Sequence, residues 1–557
     1  MSTTIKIRAF SVLFCLANSL HLLSCSYSFA TLSLEQKIGQ LFVVTAIVDN
    51  AQNQLLLAAK GYRTDAAYIK QLIADYHIGG VIFLGSNSCQ EQAELTQELQ
   101  QCSALPLLIM QDLEWGLAMR LHDALRFPRN QALGALAPEH DELIYQMGYE
   151  VGKQCKLLGV HMNLAPVVDV NNNPANPVIN DRSFGEDIAC VARKAEQFMR
   201  GLQDAGIIAC AKHFPGHGDT TVDSHYDLPC IKHTRERLDS CELYPFKRMI
   251  SNGVKAIMSA HMEVPALEPA AHLPSSLSHN VVTTLLRQEL GFKGLIITDA
   301  LDMRGVTKHH HAGELELKAL QAGNDILLCS TDVPKAIATI KQAIADGRLS
   351  EQELDEHVRV VLSLKAWAGC EKLPNFDQSL LCTPAAQSLK KELYAHAITV
   401  ARDESHLLEA LAQTKRPITC IEIGQDQSSH FVRSLENQMP MMVHTLPASA
   451  DNQFVQDMID HLYGDTVLVS VLGMSRFAAM QFGVTQRTLD CLRILKESGK
   501  KVVVVAFGNA YSLLLFKDAD AVVIAYEGDV DAQQAAADVV SGTTQATGIV
   551  PITSKAL

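Results

Sequence analysis

Short apolar runs alternate with longer segments of helical periodicity along most of this chain. Most of the runs are continuously apolar, as is typical of strands buried on both faces of a parallel sheet. Eight of them, separated by amphipathic segments, predict an α/β fold of the (β/α)8 TIM-barrel type. The alternative is a doubly wound open sheet, which usually has fewer strands, and no GxGxxG segment follows the first strand to support it. The predicted strands cover residues 41–45, 80–84, 107–111, 160–164, 207–211, 256–260, 295–298 and 325–329.

A second, smaller α/β unit is predicted after the barrel. Five more apolar runs with helical segments between them indicate an α/β sandwich with an open, mainly parallel sheet. The segment between the two units has no periodicity, and we interpret it as a linker. We therefore predict a signal peptide (1–30), a catalytic barrel (31–368), a linker (369–383) and a C-terminal α/β domain (384–557). The predicted strands of the second unit cover residues 418–423, 442–446, 466–472, 502–507 and 521–526.

The N-terminal segment has the pattern of an export signal. Basic residues precede an apolar stretch over residues 9–23, and Ser28 and Ala30 follow in the spacing that a signal peptidase accepts. A membrane anchor is one alternative, but the stretch is shorter than the ~20 apolar residues that a spanning helix needs. Lipid attachment at Cys25 is the other. We expect an exported protein, periplasmic or extracellular, with no stable membrane span, or else a lipoprotein anchored through Cys25.

Composition excludes some classes of protein. The 47 basic and 61 acidic residues give a net charge of −14, which argues against a nucleic-acid binder, since such a protein needs a basic face. Of the 14 cysteines, the 12 that follow the signal are scattered, and several lie inside apolar runs. Free cysteines pack as small apolar side chains. We interpret these 12 as mostly buried thiols, with one or two disulfides whose pairing the sequence does not reveal.

Polar residues follow five of the eight predicted barrel strands. A single carboxylate at such a position could cap a helix. Polar endings on five strands of one barrel instead predict an active-site rim, because catalytic groups in these barrels lie at the carboxyl ends of the strands. The residues are Asp112 and Glu114 after strand three, Asp169 after strand four, the segment 212–219 after strand five, His261 after strand six and Asp299 after strand seven.

The loop KHFPGHGDTTVDSHYDLP, residues 212–229, is the most informative stretch. Asp223 and His225 are two residues apart, so both side chains point the same way in an extended loop. An aspartate that accepts a hydrogen bond from histidine orients the ring and raises its basicity, which suits a general acid/base near neutral pH. The alternative is a metal site, although no usual ligand spacing is present. Its candidate ligands would be His213, His217, Asp219 and His225.

The stretch GLIITDALDM, residues 294–303, places a carboxylate at the end of strand seven. Asp299 could attack an anomeric carbon or stabilise a developing cation, and the alternative is a helix cap. We expect Asp302 to be a surface or capping residue. The run His309–His311 is interpreted as a solvated loop near the rim, because three consecutive side chains point in different directions.

Four segments together resemble glycoside hydrolase family 3, and more narrowly its bacterial β-N-acetylglucosaminidase branch. The resemblance extends over the whole mature chain and is dense in the barrel. The segments are NLAPVVDVNNNPANPVINDRSFG (163–185), KHFPGHGDT (212–220), DSH (223–225) and IITDALDM (296–303). This resemblance implies that Asp299 is the nucleophile of a retaining mechanism, that His225 is the general acid/base, and that Asp223 supports it. The histidine would then replace the carboxylic acid of most retaining glycosidases.

The resemblance also implies which residues contact the sugar. Asp112 would hold hydroxyl groups, Arg120 and Arg182 would donate forked hydrogen bonds, and Lys212 and His213 would complete the set. One departure concerns the loop after strand three, where the branch often has EGG. Here the segment is Glu114-Trp115-Gly116-Leu117, and its tryptophan would either stack on a sugar or fill the barrel mouth.

The leading hypothesis is a retaining exo-β-N-acetylglucosaminidase that releases terminal GlcNAc from peptidoglycan fragments such as muropeptides. The peptidoglycan source follows from the resemblance and the export signal alone. We expect a monomer without cofactor or metal, in which the C-terminal domain is not needed for proton transfer. The alternatives are a family 3 β-glycosidase or phosphorylase of other specificity, a metal-dependent hydrolase, and an inactive glycan-binding protein at the cell surface.

Overall fold

The computed structural model describes residues 29–223, 227–373, 375–425, 427–447 and 449–553. Eight strands form the first sheet: β1 Phe42–Ile47, β2 Gly80–Leu84, β3 Leu108–Gln111, β4 Met162–Asn163, β5 Ile208–Phe214, β6 Ala256–Ser259, β7 Leu295–Thr298 and β8 Leu327–Leu328. They pair in parallel in the order β7-β6-β5-β4-β3-β2-β1-β8. A bridge between Ile297 and Ile326 joins the two ends, which confirms the predicted barrel.

Helices surround this barrel, and polar caps begin several of them. At the start of α4, the Ser88 hydroxyl accepts from the Glu91 amide at 3.1 Å and the Glu91 carboxylate accepts from the Ser88 amide at 2.7 Å, so two free helix donors are satisfied. A π-helix spans Asn280–Glu289. The α-helices are α1 Leu34–Gly39, α2 Gln54–Lys60, α3 Ala66–Tyr76, α4 Cys89–Cys102, α5 Asn130–Gly134, α6 Asp141–Leu157, α7 Ile188–Asp204, α8 Arg235–Ser240, α9 Leu243–Ser251, α10 Arg304–Thr307, α11 Glu314–Ala322, α12 Val333–Ala345 and α13 Glu351–Ala368.

The second sheet has six strands, one more than the sequence predicts. They are β9 Thr399–Arg402, β10 Ile418–Ile423, β11 Met441–Leu446, β12 Thr466–Val471, β13 Lys501–Ala506 and β14 Ala521–Ile524. Their order is β11-β10-β12-β13-β14-β9, and β9 is antiparallel to β14. β9 is a half-buried edge strand, so it lacks the continuous apolar run that marks its buried neighbours. The predicted open, mainly parallel sheet is confirmed.

Six helices accompany this second sheet. They are α14 Pro384–Ala397, α15 Leu407–Gln413, α16 His430–Glu436, α17 Asn452–Asp460, α18 Gln486–Glu497 and α19 Val530–Val540. Between α13 and α14, the segment predicted as a linker contains one short 3-10 helix, Gln378–Leu380.

The carboxyl end of the second sheet packs against the barrel. The Tyr511 hydroxyl, in the loop after β13, donates to the backbone oxygen of Asn171 at 2.6 Å. The Glu527 carboxylate, after β14, accepts from the Arg126 guanidinium at 2.8 Å and from the backbone amide of Arg129 at 2.7 Å. We call the loops that carry Tyr511 and Glu527 the docking edge. They hold one face of the second domain against the loops of the barrel.

The cysteines and the N-terminal segment complete the comparison with the sequence. Eight of the 12 described cysteines are buried, so the expected packing role is correct for most of them. The one or two expected disulfides are absent from the described part of the chain. No described helix is long and apolar enough to cross a membrane. Residues 1–28 of the predicted export signal (1–30), Cys25 among them, lie outside the described residues.

Candidate active site

The loop after β3 is held by the end of its neighbour β4. The side-chain oxygen of Asn163 accepts from the Leu113 amide at 3.0 Å, and the Asn163 amide nitrogen donates to the Leu113 carbonyl at 3.1 Å. Both backbone groups of Leu113 are therefore satisfied by one buried side chain. Asp112 and Glu114 flank this anchor, and both carboxylates consequently have a defined position at the barrel mouth.

These two carboxylates share one buried lysine. Lys212, near the end of β5, lies 2.7 Å from Asp112 and 3.0 Å from Glu114. Arg120 donates to Asp112 at 2.8 Å, and the fork of Arg182 bonds Glu114 at 2.7 and 3.0 Å. Charge-assisted bonds of this kind are roughly twice as strong as neutral ones. The five side chains form one rigid network at the mouth of the barrel.

Burial and neighbouring charges shift the pKa values in this network in opposite directions, and the charges have the larger effect. Burial alone would raise the pKa of Asp112, but Lys212 and Arg120 hold that pKa well below its usual range. Burial likewise opposes ionisation of Glu114, and Arg182 and Lys212 lower its pKa below the usual range. Burial tends to lower the pKa of Lys212, whereas the two carboxylates raise it above its ordinary value. All three groups are therefore charged at neutral pH.

A second buried carboxylate orients the two histidines of the β5 loop. Asp169 accepts from Nδ1 of His213 at 2.8 Å and from the backbone amide of His217 at 2.6 Å. With Nδ1 as the donor, Nε2 of a neutral His213 ring is an acceptor, and it lies 3.5 Å from the Arg182 guanidinium. Burial lowers the pKa of His217 to about 4 and His213 contributes in the same direction, so His217 is neutral at physiological pH.

Asp299 lies immediately after β7, as the sequence predicts. Its backbone amide donates to the Ser259 carbonyl at 2.8 Å, and its Oδ1 accepts from the Ala300 amide at 2.8 Å. Behind it, the buried ring of His261 lies 3.0 Å from the Ala300 carbonyl and 2.7 Å from the Ser276 hydroxyl. The Ala300 amide therefore holds the carboxylate, and the neighbouring strand β6 holds the backbone of Asp299.

A cavity of about 620 Å³ opens at this end of the barrel, within the 300–1,000 Å³ typical of small-molecule sites. Asp223 lies in the β5 loop outside the described lining, and its backbone oxygen accepts from the Asp227 amide at 3.1 Å. His225 lies outside the described residues, so its predicted role stays a prediction. The remaining predicted site residues all line the cavity: Asp112, Arg120, Arg182, Lys212, His213 and Asp299.

The comparisons with known proteins agree with this geometry. The family profile described as "Glycosyl hydrolase family 3 N terminal domain" matches residues 33–364. The chain belongs to glycoside hydrolase family 3. The chain is 30% identical over 546 residues to Beta-hexosaminidase A of Pseudoalteromonas piscicida, covering 87% of this chain and 90% of that protein.

Two further relatives bear on specificity. The chain is 27% identical to a protein of Cellulomonas fimi named "Beta-N-acetylglucosaminidase/beta-glucosidase", over 82% of this chain and 78% of that one. A solved structure of a family 3 β-N-acetylglucosaminidase from Paenibacillus sp. str. FPU-7 is 31% identical and superposes with a TM-score of 0.77, covering 94% of this chain and 99% of that one. The protein is thus a glycoside hydrolase, and a glycan is its class of substrate.

The side chains of His213, His217 and Asp219 of the β5 loop in this family 3 enzyme each contact a different partner rather than a common centre. His217 lies 2.8 Å from the Thr220 hydroxyl, and Asp219 lies 2.7 Å from His233, whereas His213 bonds Asp169. Within residues 29–223 and the later described ranges, no three His, Cys, Asp or Glu side chains are grouped to hold a metal ion. These contacts orient three of the four candidate ligands, and the fourth, His225, lies outside the described residues.

Asp302 was expected at the surface or in a cap, and this expectation is wrong. Its side chain is 12% exposed, lines the cavity and pairs with Lys60 of α2 at 2.5 Å. The Tyr62 hydroxyl donates to the same carboxylate at 2.8 Å. The sequence suggested that Asp302 lies one turn into a helix, but residues 301–303 form a turn and the helix α10 begins only at Arg304. His309 and His311, by contrast, are exposed, as expected.

Three features of the site are decided only by the structure. Trp115 lines the cavity, and the Arg129 guanidinium lies 4.3 Å from the centre of its ring, so the side chain is half-buried by a cation–π contact. Glu114 and Asp169 stand in rim motifs, but the sequence does not reveal that they hold Arg182 and His213. Arg476 of the second domain also lines the cavity, and no sequence motif marks it.

Proposed function

We propose that this enzyme is a retaining exo-β-N-acetylglucosaminidase that hydrolyses terminal, non-reducing, β-linked GlcNAc. The observation that carries the proposal is one carboxylate, Asp299, at a strand end in a cavity whose opposite wall is the charged network of Asp112, Glu114 and Lys212. Donors and acceptors fixed in advance suit the hydroxyl groups of a single sugar ring. The names of the β-hexosaminidase and β-N-acetylglucosaminidase relatives support the acetamido sugar.

In the proposed first step, the Asp299 carboxylate attacks the anomeric carbon and the bond to the leaving-group oxygen breaks. His225, assisted by Asp223, gives its proton to that oxygen. In the second step the same histidine takes a proton from water, and the water oxygen displaces Asp299 from the sugar. The loop that bears this pair follows β5, so Lys212 and His213 connect it directly to the sugar-binding wall. The second domain supplies no proton in this scheme.

The proposed natural substrate is a peptidoglycan fragment outside the cytoplasm. The export signal over residues 1–30 supports this location. The GlcNAc ring itself is neutral, so the −14 net charge of the chain does not oppose the binding of that ring. Mass spectrometry of the mature N-terminus tests both processing options, since cleavage after Ala30 and lipidation of Cys25 give different masses.

Two measurements test the reaction. Nitrophenyl β-GlcNAc and β-glucoside are compared with and without phosphate, and faster release from GlcNAc without a phosphate effect is expected. Equal or faster release from the glucoside would overturn the acetamido specificity, and acceleration by phosphate would favour the phosphorylase. Asp299→Asn should lower turnover by on the order of 10³-fold or more while GlcNAc binding persists. Wild-type turnover in that variant would refute the nucleophile assignment, and Glu497→Gln, at an exposed carboxylate of the second domain, serves as the control.

A further inference from the structure

Arg476 is the one described lining residue of the cavity that belongs to the second domain. It lies in the loop after β12, whose shape is fixed by its own contacts. The Ser475 amide donates to the Phe482 carbonyl at 2.8 Å and closes the loop. Next to it, a Cβ on Gly508 would lie 2.6 Å from Met474 Cβ, so this close approach requires glycine. The guanidinium is therefore presented to the cavity by a defined loop.

The hydrogen-bonding capacity of Arg476 is largely unused. Its nearest described carboxylate oxygen is Oδ1 of Asp181 at 3.9 Å, beyond hydrogen-bond distance. Asp181 is already bonded by Arg129 at 2.8 Å. By contrast, Arg120, Arg182 and Lys212 each bond a carboxylate at 3.0 Å or less. The second-domain wall of the cavity thus presents an arginine whose fork is open to a ligand.

Burial and neighbouring cations both act against the charge of this fork. Burial lowers the pKa of Arg476, Arg129 and Arg182 lower it further, and Asp181 and Glu114 offset the shift only in part. A bound anion would raise the pKa of Arg476 again, since an opposite charge within ~4–6 Å favours the ionised form of the guanidinium. The surroundings of Arg476 therefore suit an anionic group better than a neutral one.

Exposure locates this arginine near the mouth of the cavity. The side chain of Lys212 is 2% exposed, that of Arg182 is 14% exposed and that of Arg476 is 37% exposed. An enzyme that releases a terminal sugar takes the non-reducing end into the deep part of its pocket, so the leaving group stays at the mouth. Arg476 consequently lies on the side of the leaving group.

We propose that Arg476 binds a carboxylate on the leaving group, so that the second domain determines which GlcNAc conjugates are preferred. The planar fork of arginine matches a carboxylate with two parallel hydrogen bonds. An acidic sugar such as N-acetylmuramic acid, which carries a lactyl ether carboxylate, has this chemistry. The inference rests on the proposed function, because it concerns the leaving group of the same reaction.

The test uses two disaccharides that differ in one charge. GlcNAc-β-1,4-N-acetylmuramic acid and its lactyl methyl ester are hydrolysed by the full chain, and the ratio of their kcat/KM values is measured. In the wild type the free acid should be preferred, and the preference should shrink as ionic strength rises. In Arg476→Met the ratio should fall about tenfold or more, since the variant loses its hydrogen bonds to a charged group. Arg476→Lys should give an intermediate ratio.

Arg493→Met is the matched control, because it removes the same charge from an exposed helix of the same domain. It should leave the ratio at the wild-type value. Thermal unfolding of the Arg476 variants reports whether the contact with Asp181 also holds the domains together. A structural role alone would lower both kcat/KM values equally and leave the ratio unchanged.

The outcomes separate the inference from the proposed function. If the wild type hydrolyses the methyl ester but shows no preference for the acid, or if Arg476→Met keeps the wild-type ratio, the inference about Arg476 is overturned and the proposed function stands. If the wild type hydrolyses neither disaccharide nor the aryl GlcNAc, the proposed function fails and the inference fails with it.

Discussion

The two sheets of this enzyme use the same edge for different purposes. At the carboxyl end of the barrel, charged side chains such as Asp112, Lys212 and Asp299 face a cavity. At the carboxyl end of the second sheet, Tyr511 and Glu527 bond to barrel residues instead. Parallel strands concentrate loops at this edge in both cases. What differs is whether the polar groups there face a ligand or another part of the chain.

This contrast explains why strand-end chemistry is not by itself evidence of a binding site. Gly473 and Gly508 follow β12 and β13, where a cleft at the carboxyl ends of the strands could form. The structure leaves little space at either glycine, since a Cβ on Gly473 would lie 3.0 Å from the Gly424 carbonyl and a Cβ on Gly508 would lie 2.6 Å from Met474 Cβ. The docking edge, which follows β13 and β14, is covered by the barrel. Arg476 is the exception, because its loop reaches past the docking edge into the cavity.

Among the variants that test this comparison, the largest expected effect comes from removing a contact of the docking edge. In Glu527→Ala, Arg126 and the Arg129 amide lose their partner, so the free energy of unfolding in urea should fall by about 3 kcal/mol. Glu497→Ala, on the exposed face of α18, should change it by less than about 0.5 kcal/mol. Because Glu527 faces the interface rather than the cavity, turnover below the unfolding transition should change little. A loss under 1 kcal/mol would mean that the contact contributes little to docking.

The next largest effect concerns the charged network at the mouth of the barrel. Glu114→Gln keeps the shape of the side chain but removes the charge that holds Arg182 and Lys212. The kcat/KM for aryl GlcNAc should fall on the order of 100-fold, because two binding groups lose their orientation. Steady-state kinetics measure this, with Glu497→Gln as the control. Turnover within twofold of the wild type would show that the network is dispensable for the reaction.

The smallest effect lies in the barrel core, away from both edges. Burial lowers the pKa of His161 to about 3, and its Nδ1 accepts from the Ile109 amide at 3.1 Å. The unfolded chain therefore binds more protons between about pH 6.5 and pH 3. The stability that the neutral ring contributes is complete above pH 6.5 and is lost as pH falls.

His161→Asn removes this titration and retains an acceptor for the Ile109 amide. Between pH 7 and pH 5, the free energy of unfolding should fall by about 2 kcal/mol less in the variant than in the wild type. Urea unfolding at both pH values measures the difference. Parallel pH profiles for the two proteins would show that His161 is protonated with little cost in the folded state.

Much of the fold and of the barrel wall could be predicted from local patterns. β2, β7 and β10 begin and end where the apolar runs do, because fully buried parallel strands need continuous apolar side chains. The edge strand β9 could not be found this way, because it is half-buried and therefore lacks a continuous apolar run. The position of Asp299 was predicted correctly, because the end of an apolar run is visible in the sequence. The position of Asp302 was predicted wrongly, because the path of the chain after β7 is not visible in the sequence.

The sequence by itself determined the barrel, the second sheet, the family and most of the charged groups at the barrel mouth. Each follows from residues that are neighbours in the chain or from motifs of fixed spacing. Only the tertiary structure decided that Asn163 anchors the β3 loop, that Glu114 holds Arg182, and that Arg476 reaches the cavity from the second domain. Hydrogen bonds and charge interactions act over a few ångströms of space, and positions that are hundreds of residues apart become neighbours only after folding.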